Sequence, residues 1–229
     1  MKKIIIPFFC AVLFAAPAAA QQVSTVPAGT VKKSKSTPKE VIDNYIKALG
    51  GKEKLQSVST VVLYNSITAA GLPAEVTMVT KKMGNKFKSE QSVMGQKMVQ
   101  LFDGEKGYFE QMGMKKDLPA DKMAELRKGR VIDALAYDPA NYSSVSVESL
   151  NGKDYEVLTS AKGKFYFDKA TGLLYKTSAA EGNALINSYM SIEGIKFPQE
   201  IEAEGGGQKM TIKTTKVVLN ADVTDADFK

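Results

Sequence analysis

Few residues in this chain have the chemistry to make or break bonds, and their settings speak against that use. Two groups of carboxylates stand close enough in sequence for acid–base work: Glu40 with Asp43, and Asp222 with Asp225 and Asp227. Paired carboxylates divide the roles of acid and base when their surroundings push their pKa values apart. Here the first pair opens a helical run and the second group lies in a polar tail, where solvated charge is the ordinary outcome. The chain has no histidine, and its one cysteine, Cys10, falls in an apolar N-terminal run. A Ser-His-Asp or Cys-His arrangement therefore has no parts, and the usual ligands of zinc, haem and iron–sulfur clusters are missing. Gly205-Gly206-Gly207 separates two strand-like runs and reads as a turn, with no strand-to-helix context for a phosphate cradle. The residues predict no catalytic, metal or cofactor site.

Apolar volume is what the chain offers in place of reactive groups. Met78, Met83, Met94, Met98, Met112, Met114, Met123, Met190 and Met210 are spread along it. Methionine fills irregular gaps in cores, its commoner use, and also suits surfaces that accept variable apolar ligands. Phe87, Phe102, Phe109, Phe165, Phe167 and Tyr189 lie in strand-like runs, where aromatic residues are usually ordinary core. With Met98 they are the candidate lining of a lipid pocket, which needs only a dry apolar wall and a mouth that opens. Met112 to Pro119 mixes apolar side chains with Lys115 and Lys116. It reads as a polar loop with Leu118 tucked inward, or as a lid edge whose lysines meet headgroups.

The elements that must hold such a wall are mostly strands. One helix comes first: Thr37-Pro38-Lys39-Glu40 carries a capping box with proline at the first helical position, Val41, Ile42, Tyr45, Ile46 and Leu49 follow at helical spacing, and Gly50-Gly51 closes it. Strands are predicted near 57–69, 73–82, 86–94, 96–102 and 107–112, joined by short turns such as Gly84-Asn85 and Asp103-Gly104. Residues 119–137 favour helix, broken at Gly129. Strands resume near 143–150, 154–161, 163–168, 172–180, 184–192, 195–204 and 208–219. This is an α+β domain on one strongly curved antiparallel sheet of about eleven strands, an unclosed barrel with helices covering its concave face. Strand parity is open where apolar residues run on, as in Phe165-Tyr166-Phe167.

The first twenty residues read as a signal peptide: Lys2-Lys3, an apolar run from Ile4 to Phe14, and an Ala-rich cleavage site ending at Ala20. The run is too short to span a bilayer, which needs about 20 apolar residues. Cys10 stands too early for a lipid-attachment box. Residues 21–37 read as a flexible leader and 38–229 as a single domain. The expected location is the periplasm, with no disulfide and no acyl anchor. Formal net charge falls from +6 to +4 once Lys2 and Lys3 are removed, and Arg127 and Arg130 are the only arginines. Arginine-poor basicity argues against nucleic acid.

Val41 to Gly51, Gly84 to Lys88, Phe102 to Tyr108, Phe167 to Leu173 and Gly194 to Pro198 resemble, in that order, the outer-membrane lipoprotein-sorting proteins of the LolA/LolB-like superfamily, in the version common in Bacteroidota. Similar domains there also accompany secreted zinc peptidases. The resemblance implies an unclosed barrel with helices in its hollow that binds lipoprotein acyl chains, and sorting partners at the inner and outer membranes. Carrier members have a lid-latching arginine on an early strand, and no predicted strand here contains one. Receptor members are acylated, so a soluble periplasmic carrier or chaperone fits better than a receptor. The expected lipid-binding residues are Phe87, Met98, Phe102, Phe109, Phe165, Phe167 and Tyr189. The rival expectation is a non-enzymatic sensor or interaction module on the same fold, its hollow filled by its own side chains. The oligomeric state is not readable from these residues.

Overall fold

The computed structural model describes residues 31–229, apart from 71, 73 and 181; the expected signal peptide, Cys10 and the leader as far as residue 30 lie outside the described residues. The elements run β1 (Lys32–Lys33), α1 (Pro38–Leu49), α2 (Lys52–Gln56), β2 (Thr60–Ala69), β3 (Val76–Met83), β4 (Lys86–Val93), β5 (Gln96–Phe102), β6 (Gly107–Gln111), β7 (Met114–Asp117), α3 (Ala120–Leu126), β8 (Tyr142–Leu150), β9 (Lys153–Ser160), β10 (Gly163–Asp168), β11 (Leu174–Ala179), β12 (Gly182–Ile192), β13 (Ile195–Gly205) and β14 (Gln208–Leu219). Short 3₁₀ helices occupy Asp133–Ala136, Pro139–Asn141 and Asp225–Phe228.

The start of α1 follows the capping logic. The Thr37 hydroxyl accepts from the Glu40 N–H at 3.3 Å, and the Glu40 carboxylate accepts from the Thr37 N–H at 2.7 Å. One face of the helix buries Val41, Ile42, Tyr45 and Leu49. It stops at Gly50, at φ +138°, where any Cβ would stand 2.6 Å from the Gly194 carbonyl. The five-residue α2, which inserts Leu55 into the core, was not expected because so short a segment shows no periodicity.

All strands join one antiparallel sheet in the order β1-β8-β9-β10-β11-β12-β13-β14-β2-β3-β4-β5-β6-β7. The expectation of about eleven strands is corrected to fourteen. The two strands outside every predicted range are the edges, β1 and β7, whose residues are all exposed and so carry no alternation to read. Part of the leader is thereby ordered: Lys32 and Lys33 pair with Val147 and Ser146, and the Ser34 and Ser36 hydroxyls donate to Glu156. The expected loop at 112–119 is a hairpin with β7, although Leu118 is buried as expected. Leu118 packs where Gly107 leaves room, since a Cβ there would lie 2.7 Å from it and 2.6 Å from the Leu101 carbonyl.

The sheet is unclosed but curled. Glu125 accepts from Lys162 in the β9–β10 turn at 2.5 Å, and Arg127, two residues on, donates to the Glu105 carbonyl in the β5–β6 turn at 2.8 Å. Those turns are nine strand places apart, which on a flat sheet is roughly 43 Å at about 4.8 Å per strand. Residues two apart at one helix end reach both only because the sheet folds around them.

The inner face, toward α1, buries Val61, Leu158, Phe165, Phe167, Ile186, Ile195, Ile201 and Val217 against the helix. The outer face carries Tyr155, Val157 and Tyr166, with Tyr155 and Tyr175 stacked at 4.7 Å. The parity left open at 165–167 is thus settled, with both phenylalanines inward and Tyr166 outward. The C-terminal 3₁₀ helix folds onto the outer face, where Phe228 joins Val62 and Val223. Among the described residues no helix is long and apolar enough to cross a membrane.

Candidate binding face

Registers assign the predicted lining residues to a face. Val61 packs in the α1 core, and opposite residues of antiparallel neighbours share a face. Val61 faces Lys82, Lys82 faces Phe87, Phe87 faces Phe102 and Phe102 faces Gly107, so this row crosses β2 to β6 on the inner face. Met98 and Phe109 share its parity. Phe165, Phe167 and Tyr189 belong to the core around α1. All seven predicted residues therefore lie on the inner face, but in two groups.

The first group sits under α1. Phe167 meets the Tyr45 ring edge-on at 5.2 Å, and Phe165 meets Tyr137 at 5.9 Å and Tyr142 at 5.6 Å. The Tyr189 hydroxyl donates to the Leu174 carbonyl at 2.6 Å. Burial drives the phenols of Tyr45, Tyr137 and Tyr189 well above the usual tyrosine range, so they act as neutral apolar wall. The second group spans β4 to β6. Phe102 is fully buried beside Leu118, Met98 is buried, and Phe87 and Phe109 are half-buried.

This second wall is not uniformly greasy, which sequence reasoning missed. Thr80, Ser89, Gln91, Gln100 and Thr214 are buried on the same face. The Thr80 hydroxyl bonds Ser89 at 3.3 Å, Gln91 reaches the Met78 sulfur at 3.6 Å, and Thr214 donates to the Pro198 carbonyl at 2.9 Å. The signal was available as parity: Ser89 and Gln91 continue every second residue from Phe87, and Gln100 stands between Met98 and Phe102.

A crossover from Leu118 to Asn141 carries the chain from edge strand β7 to β8, over the inner face. Lys82, on β3, extends from that face and forms an ion pair with Asp133 in the crossover. Glu125 and Lys162 form a second tie. No arginine lies on a described strand.

Three of the five carboxylates singled out by sequence, Glu40, Asp225 and Asp227, make structural contacts. Glu40 caps α1, and its bonds from the Thr37 N–H and hydroxyl hold its carboxyl below the usual range. Asp227 bonds Lys81 at 2.6 Å and Asp225 bonds Lys86, fastening the tail. Two open clefts flank the body. One of about 530 Å³ lies between the tail and the 103–105 turn, and one of about 440 Å³ lies between α1 and the 168–172 turn, bordered by Glu156 and Phe167.

No family model matches the chain, and no curated protein matches it in sequence. Solved structures do match in shape. A LolA superfamily protein from Nitrosomonas europaea aligns at 14% identity with a TM-score of 0.55, over 85% of this chain and 98% of that one. An outer membrane lipoprotein-sorting protein domain from Vibrio parahaemolyticus aligns at 10% identity with a TM-score of 0.57, over 84% and 97%. A DUF1329 family protein from Desulfovibrio piger aligns at 13% identity with a TM-score of 0.56, over 85% and 98%. At these identities the likeness establishes the fold, which is LolA-like.

Proposed function

We propose that this protein is a non-enzymatic periplasmic carrier or chaperone that holds acyl chains, of lipoproteins bound for the outer membrane or of other lipids, against the inner face of its curled sheet. The observation that carries this reading is that Phe87, Met98, Phe102, Phe109, Phe165, Phe167 and Tyr189 share that one face, in two groups, and that a crossover tied by Lys82–Asp133 and Glu125–Lys162 runs over the face. An acyl chain taken up there gains about 0.8 kcal/mol per methylene removed from water, so affinity needs area and no reactive group. Uptake requires the crossover to shift. Its ion pairs have partly exposed partners and are worth about 0–1 kcal/mol each, so the main cost of such a shift is freeing Ile132, Ala134 and Tyr137 from the core.

A second reading has its own support. Phe102, Phe167 and Met98 are each 2% exposed or less. If the crossover stays closed, the face is already filled and the chain is an interaction module. Native mass spectrometry of protein purified gently from the periplasm, with lipid extraction, separates the two. Co-purifying acyl species, diminished by Phe109→Asp at a half-buried position, support the carrier. A ligand-free protein that also refuses a fluorescent fatty acid sinks it.

A further inference from the structure

The polar side chains buried on the second wall fall into an order that packing alone does not require. Thr80, Ser89 and Gln100 stand directly opposite one another on β3, β4 and β5, in a row flanked by Leu63 on β2 and Phe109 on β6. They are 6%, 2% and 4% exposed. On the same face, the next row toward α1 holds Phe87 opposite Phe102, and the next row away from α1 holds Met78 and Met98 on either side of Gln91. A hydrogen-bonding line thus crosses a wall that is mostly apolar above and below it.

The line keeps hydrogen-bonding capacity in hand. One bond of 3.3 Å joins the Thr80 and Ser89 hydroxyls, so one of their two protons has no acceptor among the described residues. The Gln100 amide makes no hydrogen bond among the described residues, and the slight exposure its side chain keeps includes both amide atoms. Buried amides left without a partner are rare, because the group gives up water and gains nothing in return. Methionine, which the chain uses nearby at 78 and 98, would fill the same volume without that cost. From β2 to β6 the row carries no charged residue, and Lys82 in the neighbouring row is engaged with Asp133, so a carboxylate or phosphate would meet no free counter-charge here. The amide offers donors and an acceptor, and the hydroxyl adds a donor. The fitting partner is uncharged, both donates and accepts, and has hydrocarbon on both sides.

We propose that the Thr80–Ser89–Gln100 row is a subsite that reads a hydroxyl or a secondary amide set partway along an acyl chain. The proposal rests on the inner face holding a lipid, and so buried a row is reached only through the opening that this reading already requires. The test is displacement of a bound fluorescent fatty acid from the exported protein by three competitors of equal length: plain stearate, stearate with a mid-chain hydroxyl, and a chain with a mid-chain amide. The wild type should prefer the hydroxyl, the amide or both over plain stearate by about tenfold, the size of one good hydrogen bond, and the preferred competitor identifies the group. Gln100→Met, close to the same volume, should bring that preference within about twofold and raise the affinity for plain stearate, while the melting temperature holds or rises. A glutamine with a merely structural role would not move this ratio. Ser89→Ala should lower the preference in part, and it carries the test should Gln100→Met fold poorly. A wild type that binds all three competitors within about twofold, or a Gln100→Met protein that keeps the tenfold preference, overturns the subsite and leaves the carrier reading standing. A wild type that takes up no fluorescent fatty acid overturns both.

Discussion

Lys82 and Asp133, 51 positions apart, join the sheet to the segment that crosses it, and the lysine side chain is only 18% exposed in doing so. The aspartate is 59% exposed, so water screens the pair and its share of stability is small. Its consequence is positional. Lys82→Met should cost about 1 kcal/mol or less in denaturant unfolding. Hydrogen exchange should nevertheless speed up across residues 120–136, and a fluorescent fatty acid should enter faster. Unchanged exchange in that segment would show that the ion pair does not hold the crossover.

Phe167 and Phe109 share a face and differ in burial, so their truncations should separate folding from ligand contact. Phe167 is 2% exposed and packs on Tyr45. Phe167→Ala should therefore destabilise by about 3–5 kcal/mol. Phe109 is half-buried on β6. Phe109→Ala should cost about 1–2 kcal/mol, less than a fully buried phenylalanine, while weakening fatty-acid binding. Equal affinity in wild type and Phe109→Ala would remove the β4–β6 wall from the binding face.

How much of this was legible in the sequence depends on the range over which each signal acts. The start of α1 is written in four adjacent residues, Thr37 to Glu40, and most hairpins in pairs such as Asn151-Gly152, so these were readable. Edge strand β7 was not, because Met114, Lys115, Lys116 and Asp117 are all exposed and lack alternation. The parity of Phe165-Tyr166-Phe167 needed Tyr155 and Val157, which sit beside Tyr166 on the outer face. Lys82–Asp133 had no local pattern at all. The burial of Ser89, Gln91 and Gln100 follows from sharing the parity of Phe87, Met98 and Phe102, but their polar types mask it in the hydrophobic pattern.

Alkali should unfold the protein through its buried phenols. Desolvation raises Tyr45, Tyr137 and Tyr189 far above the ordinary value of 10, and burial pushes Tyr155 and Tyr166 up to about 12. A group whose folded pKa is raised contributes stability that is fully present below its unfolded pKa and is lost as pH rises through the folded one. Stability should thus be flat up to about pH 10 and fall above it. Tyr166→Phe, which removes one such group from the outer face, should make the fall shallower. Circular dichroism melts from pH 8 to 12 read this directly, and a slope equal to wild type would refute the assignment for Tyr166.

The C-terminal tail should behave as a clasp. Asp227 bonds Lys81 at 2.6 Å, Asp225 bonds Lys86, and between them the chain turns so that Phe228, 3% exposed, seats against Val62 and Val223. An aromatic ring so placed makes Phe228→Ala a loss of about 3 kcal/mol or more. The polar side of the clasp is sensitive to acid. The Lys81 ammonium, then the Thr224 N–H, holds the Asp227 carboxyl below its ordinary 3.8. Its contribution is therefore complete above that value and lost as pH falls below it through the folded pKa. Asp227→Asn should reduce the acid sensitivity of tail protection in hydrogen exchange, while Phe228→Ala should expose residues 221–229 at every pH. If Phe228→Ala leaves both stability and tail exchange at wild-type values, the tail is not seated on the outer face in solution. Its acids would then be available to a partner, which is the outcome the interaction-module reading needs.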